Sequence, residues 1–158
     1  MIRPGRRLRG ACAWGCLAAV VLAAAQVLGG PAAADRRPEE PSGAIFARIA
    51  AGFEDGDSGA LAALVHSEGL RVTGHNERSG EYSPSQAVYF FRNLFQAQRT
   101  LLFAFRKTQD DAPGGYARGM ADWKRRRVDS DRVVEQQLLL VLALDGGRWR
   151  LTEINMIR

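Results

Sequence analysis

Apolar residues along the chain fall into three regimes. Residues 10–34 form an uncharged run built mostly of Ala, Leu and Val; residues from 45 to 95 carry apolar positions largely at helical spacing; residues 101–157 read as extended chain. In the middle regime Ile45, Phe46, Ile49 and Phe53 predict a helix, with Ser42 placed to cap it and Glu54, Asp55 and Gly56 to end it. Asp57 offers a second cap to a short helix that carries Leu61, Leu64 and Val65 on one side and ends at Gly69. Residues 70–75 alternate Leu70 and Val72 with Arg71 and Thr73, a strand pattern followed by a polar turn over 76–80. The strongest local signal comes next. Ser83 is a helix cap, Pro84 takes the first helical position, where its missing N–H costs nothing, and Gln86 completes a capping box. Ala87, Phe90, Phe91, Leu94 and Phe95 then make a broad apolar face that should cross the core.

Extended segments follow over 101–108, 116–128, 133–144 and 149–157, with turns at 110–115 and 129–132 and a hairpin connection at Asp145-Gly146-Gly147. Helices first, then an antiparallel meander, is an α+β order. A parallel nucleotide-binding sheet would need helices between these strands, and no residues are left to form them. The nearly unbroken apolar run 138–144 predicts a central strand covered on both faces. Helices can supply one cover, so a homodimer through the outer sheet face is expected to supply the other.

Arg3, Arg6, Arg7 and Arg9 precede the run 10–34, which ends in Ala32-Ala33-Ala34 before the first acid, Asp35. That order predicts a signal peptide over 1–34, cut after Ala34, and an extracytoplasmic protein, periplasmic or secreted. An uncleaved anchor is the alternative, because the run approaches the ~20 residues of a spanning helix, although Pro31 interrupts it; membrane contact is expected only in that case. Cys16 lies mid-run after Trp14 and Gly15, the wrong depth for an acylated cysteine. Residues 35–43 read as a polar tether and 44–158 as one domain. Four of the 22 basic residues and none of the 17 acidic ones lie in the leader, so the rest of the chain is nearly neutral. The basic character that would suggest nucleic acid therefore largely disappears, and both cysteines, Cys12 and Cys16, leave with the leader.

Four stretches carry a family resemblance. Gly80-Glu81-Tyr82-Ser83-Pro84-Ser85-Gln86-Ala87, the helix segment Phe90-Phe91-Arg92-Asn93-Leu94-Phe95, then Gly115-Tyr116-Ala117-Arg118-Gly119 and Gly147-Arg148-Trp149-Arg150-Leu151-Thr152-Glu153-Ile154 resemble the exported DUF4783 family of the NTF2-like superfamily. The resemblance implies an α+β cone, with helices packed against a curved antiparallel sheet and often a pocket at the open end. It carries over no catalytic residue, because relatives include isomerases, cyclases and plain binding modules. The chain departs from the family by placing Lys124, Arg125, Arg126 and Arg127 together.

Neither histidine lies in a ligand-spaced cluster: His66 follows the short helix, and His75 ends a strand where pocket rims form. No cofactor loop or metal set is present in the sequence, and none is expected. Acid–base chemistry inside a cone would need a carboxylate beside a hydrogen-bond donor. Asp122 and Glu135 are the candidate bases, with Tyr89, Tyr116 and His75 beside them. Asp122 shares strand parity with Tyr116, Arg118 and Met120, and Glu135 with Gln137, Leu139 and Val141. The same parity suits ordinary sheet ion pairs to Arg118 or Arg150. Phe90, Phe91, Met120 and Leu139 are the candidate lining of an apolar pocket. Parity also divides Lys124 and Arg126 from Arg125 and Arg127, which predicts a solvated strand end and no single basic patch. The expected function is a non-catalytic domain that binds an apolar small molecule or an envelope protein. A cofactor-independent proton-transfer enzyme and a purely structural dimerisation domain are the alternatives.

Overall fold

The computed structural model describes residues 38–74, 79–111 and 114–157. The leader, residues 35–37 of the tether and His75 lie outside the described residues. The elements run α1 (Ser42–Asp55), α2 (Ser58–Ala63), β1 (Leu70–Gly74), β2 (Gly80–Tyr82), α3 (Pro84–Ala97), β3 (Gln98–Asp111), β4 (Tyr116–Arg127), β5 (Val133–Asp145) and β6 (Arg148–Ile157). Their strands form one curved, open sheet in the order β2-β1-β6-β5-β4-β3. The meander β3 to β6 is antiparallel throughout, as expected, but β1 pairs parallel to β6, so the sheet is mixed.

Local capping explains two of the three helix starts. Asp57 Oδ1 accepts from the Gly59 and Ala60 N–H groups, and Ser83 forms the full capping box with Gln86. Ser42 does not cap α1. Pro41 holds that position without a side-chain bond, and Ser42 is a buried helical residue whose hydroxyl donates to Asp110 Oδ2 at 2.7 Å, tying α1 to β3. The preceding residues are docked as well: the Glu39 N–H donates to the Gly147 carbonyl, and its carboxylate accepts from Arg148 at 2.7 Å. Nor does α2 reach Gly69. The chain is captured by β6 after Ala63, with the Leu151 N–H donating to the Leu64 carbonyl and the His66 N–H to that of Leu151. Gly69, at φ +114°, then turns into β1 where a Cβ would stand 2.6 Å from the Tyr82 carbonyl oxygen.

The helices cover one face of the sheet. Ile45, Phe46, Ile49 and Phe53 of α1 and Ala87, Phe91 and Leu94 of α3 are buried against Phe103, Ala117, Ala121, Trp123, Leu138, Leu140 and Leu142. Phe53 stands at the centre. Its ring stacks on Phe103 with centroids 4.3 Å apart and meets Trp123, Phe95 and Phe91 edge-on at 5.4, 5.7 and 6.3 Å. Such aromatic pairs contribute ~0.5–1.5 kcal/mol each beyond the area they bury. Phe46 and Phe105 form another edge-on pair that lies over Gly119, where a Cβ would come within 2.7 Å of both rings. Phe53→Ala is expected to lower unfolding stability by ~3–5 kcal/mol, through lost burial and an uncollapsed void. Urea titration checks this; a loss no larger than that of a surface substitution would contradict the packing.

Candidate functional site

Strand alternation sends Ala117, Gly119, Ala121, Trp123 and Arg125 of β4 towards the helices and Arg118, Met120, Asp122 and Lys124 away from them. On β5 the same division buries Leu138, Leu140 and Leu142 and leaves Glu135, Gln137, Leu139 and Val141 on the outer face. The β4–β5 register places Lys124 opposite Glu135, Asp122 opposite Gln137, and Met120 opposite Leu139. The parity groups are as expected. Their side of the sheet is not: both acids face away from the helices and lie outside the cone.

Each acid has a cation beside it. Asp122 accepts from Arg106 Nε on β3, and Glu135 from Lys124 Nζ at 2.8 Å. These are the sheet ion pairs that parity allows, made by Arg106 and Lys124 where Arg118 and Arg150 were expected; Arg150 donates instead to the Ala63 carbonyl. The tyrosines lie elsewhere. Tyr116 is 53% exposed, six residues from Asp122 along β4, a separation of about 20 Å. Tyr89 is 60% exposed on α3, across the sheet from both acids, with the Arg92 guanidinium 5.4 Å from its ring centre. No acid–tyrosine pair is assembled among these candidates.

The candidate lining residues separate in the same way. Phe91 is buried in the core, and Phe90 is half-buried beside Tyr82, their ring centres 4.8 Å apart. Met120 and Leu139 face each other on the opposite side of the sheet. The four therefore do not line one pocket. A groove of about 420 Å³ does open on the outer face, lined by Leu102, Arg106, Asp122, Lys124, Glu135 and Gln137. Among the described residues no group of three or more His, Cys, Asp or Glu side chains could hold a metal ion.

The sequence matches no family model and no curated protein. Solved structures do match. A DUF4783 family protein from Bacteroides ovatus superimposes with a TM-score of 0.58 at 11% identity, over 71% of this chain and 93% of that one. One from Bacteroides uniformis gives 0.59 at 9%, over 71% and 94%. A protein with a ketosteroid isomerase-like fold from Catenulispora acidiphila, in complex with trimethylamine, gives 0.59 at 14%, over 77% and 86%. The fold is NTF2-like. The resemblance carried by residues 80–95, 115–119 and 147–154 thus holds at the level of fold.

In this NTF2-like fold the cone's interior is filled by Phe46, Phe53, Phe91, Phe103 and Trp123. Trp123 also accounts for a residue misjudged in sequence. Arg125 is not part of a solvated strand end: it is 6% exposed, its guanidinium lies 4.3 Å from the Trp123 ring centre, and Nη2 donates to Gln136 Oε1 at 2.6 Å. A second groove, of about 350 Å³, lies beside β1 and includes His66, Glu68, Arg71, Tyr82 and Glu153. Its chemistry is largely engaged: Arg71 reaches Glu81 at 3.0 Å and Glu153 at 3.9 Å, and His66 Nδ1 accepts from the Glu68 N–H.

Next to His66, hydrogen bonds from the Ser67 side chain and backbone hold the Asp145 carboxyl below the usual aspartate range, with the charges of His66 and Arg150 adding to the effect. A lowered folded value means the contact contributes stability above the ordinary aspartate value and loses it as pH falls through the folded one. NMR titration should place Asp145 below its unfolded-chain value, and Ser67→Ala should raise it. An unshifted Asp145 in the wild type would contradict the hydrogen bonding.

Proposed function

We propose that this protein is an exported, non-catalytic scaffold domain that binds a protein partner through the outer face of its sheet, and that a second copy of the chain is such a partner. One observation carries the reading: the interior is filled by aromatic rings, while Met120 and Leu139 meet half-exposed on the outer face between ion pairs. Val141 is half-exposed beside them, and the exposed Ile157 extends the apolar area onto β6. An apolar centre rimmed by charge is the composition of a protein interface. It also suits a two-fold contact, in which the same patch meets itself. Small-molecule binding has its analogy in the Catenulispora acidiphila protein, which was solved in complex with trimethylamine; in this chain Phe46, Phe53, Phe91 and Phe103 are buried between the helices and the sheet. Proton transfer has less support, because the acids and tyrosines lie far apart.

Leu139→Arg is expected to convert a dimer to a monomer without changing the fold, and sedimentation equilibrium with circular dichroism checks both points. A wild-type protein monomeric at every concentration, or a dimer indifferent to Leu139→Arg, would overturn the self-association. Export rests on the arginine-led apolar leader and its Ala32-Ala33-Ala34 end. Intact mass of protein recovered from the cell envelope should correspond to a chain beginning at Asp35. A mass beginning at Met1 in the membrane fraction would replace cleavage with anchoring.

A further inference from the structure

The far end of β3 and β4 holds an electrostatic arrangement that the Met120–Leu139 contact does not use. In their register Arg99 lies directly opposite Arg126, and both side chains are exposed. Neighbouring cations have carboxylates: Arg106 has Asp122, Lys124 has Glu135, and Arg127 holds Asp129 through two nitrogens at 2.9 and 2.7 Å. Arg99 and Arg126 have no ion pair among the described residues. Like charges directly opposite each other in an antiparallel pair destabilise a sheet, and an anion between them reverses the sign of that interaction.

Space for the anion is present. A cavity of about 450 Å³ opens at this end, lined by Arg99, Arg126, Arg127 and Val128 and by the turn residues Asp129, Ser130 and Asp131. Asp129 is engaged by Arg127, and Asp131 is exposed on the turn. Backbones of directly opposed residues stand about 5 Å apart, so two guanidinium forks reach one tetrahedral anion, each through paired N–H donors. Val128, 67% exposed, lines the cavity, and Val133, 40% exposed, stands opposite Arg126 on β5. We propose that Arg99 and Arg126 form a binding site for a phosphate group, carried by a free phosphate compound or by a lipid headgroup. The site is independent of the dimer reading, since Arg126 stands six residues along β4 from Met120.

The test uses the full chain, with inorganic phosphate at constant ionic strength as one probe and vesicles of phosphatidylcholine and phosphatidylglycerol in equal parts as the other. Saturable amide shifts at Arg99, Arg126 and Ser130, or vesicle binding, are expected to weaken about tenfold or more in the Arg99→Gln/Arg126→Gln double variant. Arg99→Lys/Arg126→Lys should weaken them less, and Lys107→Gln, an equal loss of charge to a single Arg99→Gln, should leave them unchanged. A response to phosphate alone identifies a free phosphate compound as the source; a response to vesicles alone identifies a headgroup. If neither probe gives a response that the double glutamine variant removes, or if Lys107→Gln removes as much as Arg99→Gln, the site does not exist as proposed.

Discussion

Phe53 stacked on Phe103 is the contact on which the rest of the structure depends. It closes α1 onto the sheet, brings the Trp123 edge against the same ring, and lets α3 pack behind it through Phe91 and Phe95. A cone of helices and curved sheet has an inside only if these layers stand apart. Here buried rings occupy the space between them, in keeping with the close packing of protein interiors. The filled core also fixes which face of β4 and β5 is covered, and with it the position of every charged candidate on those strands.

With these rings on the covered face, the charged candidates of β4 and β5 stand on the outer one. Asp122 and Glu135 are spread along an outer face where Arg106 and Lys124 neutralise them in contact with solvent. Pairs of this kind contribute little to stability, ~0–1 kcal/mol, and serve better to set the rim and register of a contact. Arg125 shows the opposite case. On the covered face its charge is retained by the Trp123 ring and by Gln136, so a residue from a four-cation run becomes part of the core boundary.

What could be read in the sequence follows from the range of the forces involved. The Ser83-Pro84-Gln86 start of α3 is a matter of a few neighbouring atoms, and it appears as expected. Ser42 also has the chemistry of a cap, but its hydroxyl is taken by Asp110, 68 residues away, a partner that no local pattern reveals. The end of α2 was hidden in the same way by Leu151. Alternation correctly grouped Asp122 with Met120 and Glu135 with Leu139. It states only that two faces exist, and which one the helices cover depends on packing across the whole sheet. That is why Met120 and Leu139 were grouped with Phe90 and Phe91, from which the sheet separates them. Arg125 was the exception with a visible signal: it shares parity with Ala121 and Trp123, both fully buried.

Diffraction from crystals pressurised with xenon tests the filled interior most directly, because xenon enters apolar cavities that admit no water. With Phe53 seated on Phe103 and Trp123, no xenon atom is expected between α1, α3 and the sheet. An ordered xenon atom enclosed by Phe53, Phe91, Phe103 and Trp123 would reveal an apolar cavity inside the cone and contradict recognition confined to the outer surfaces.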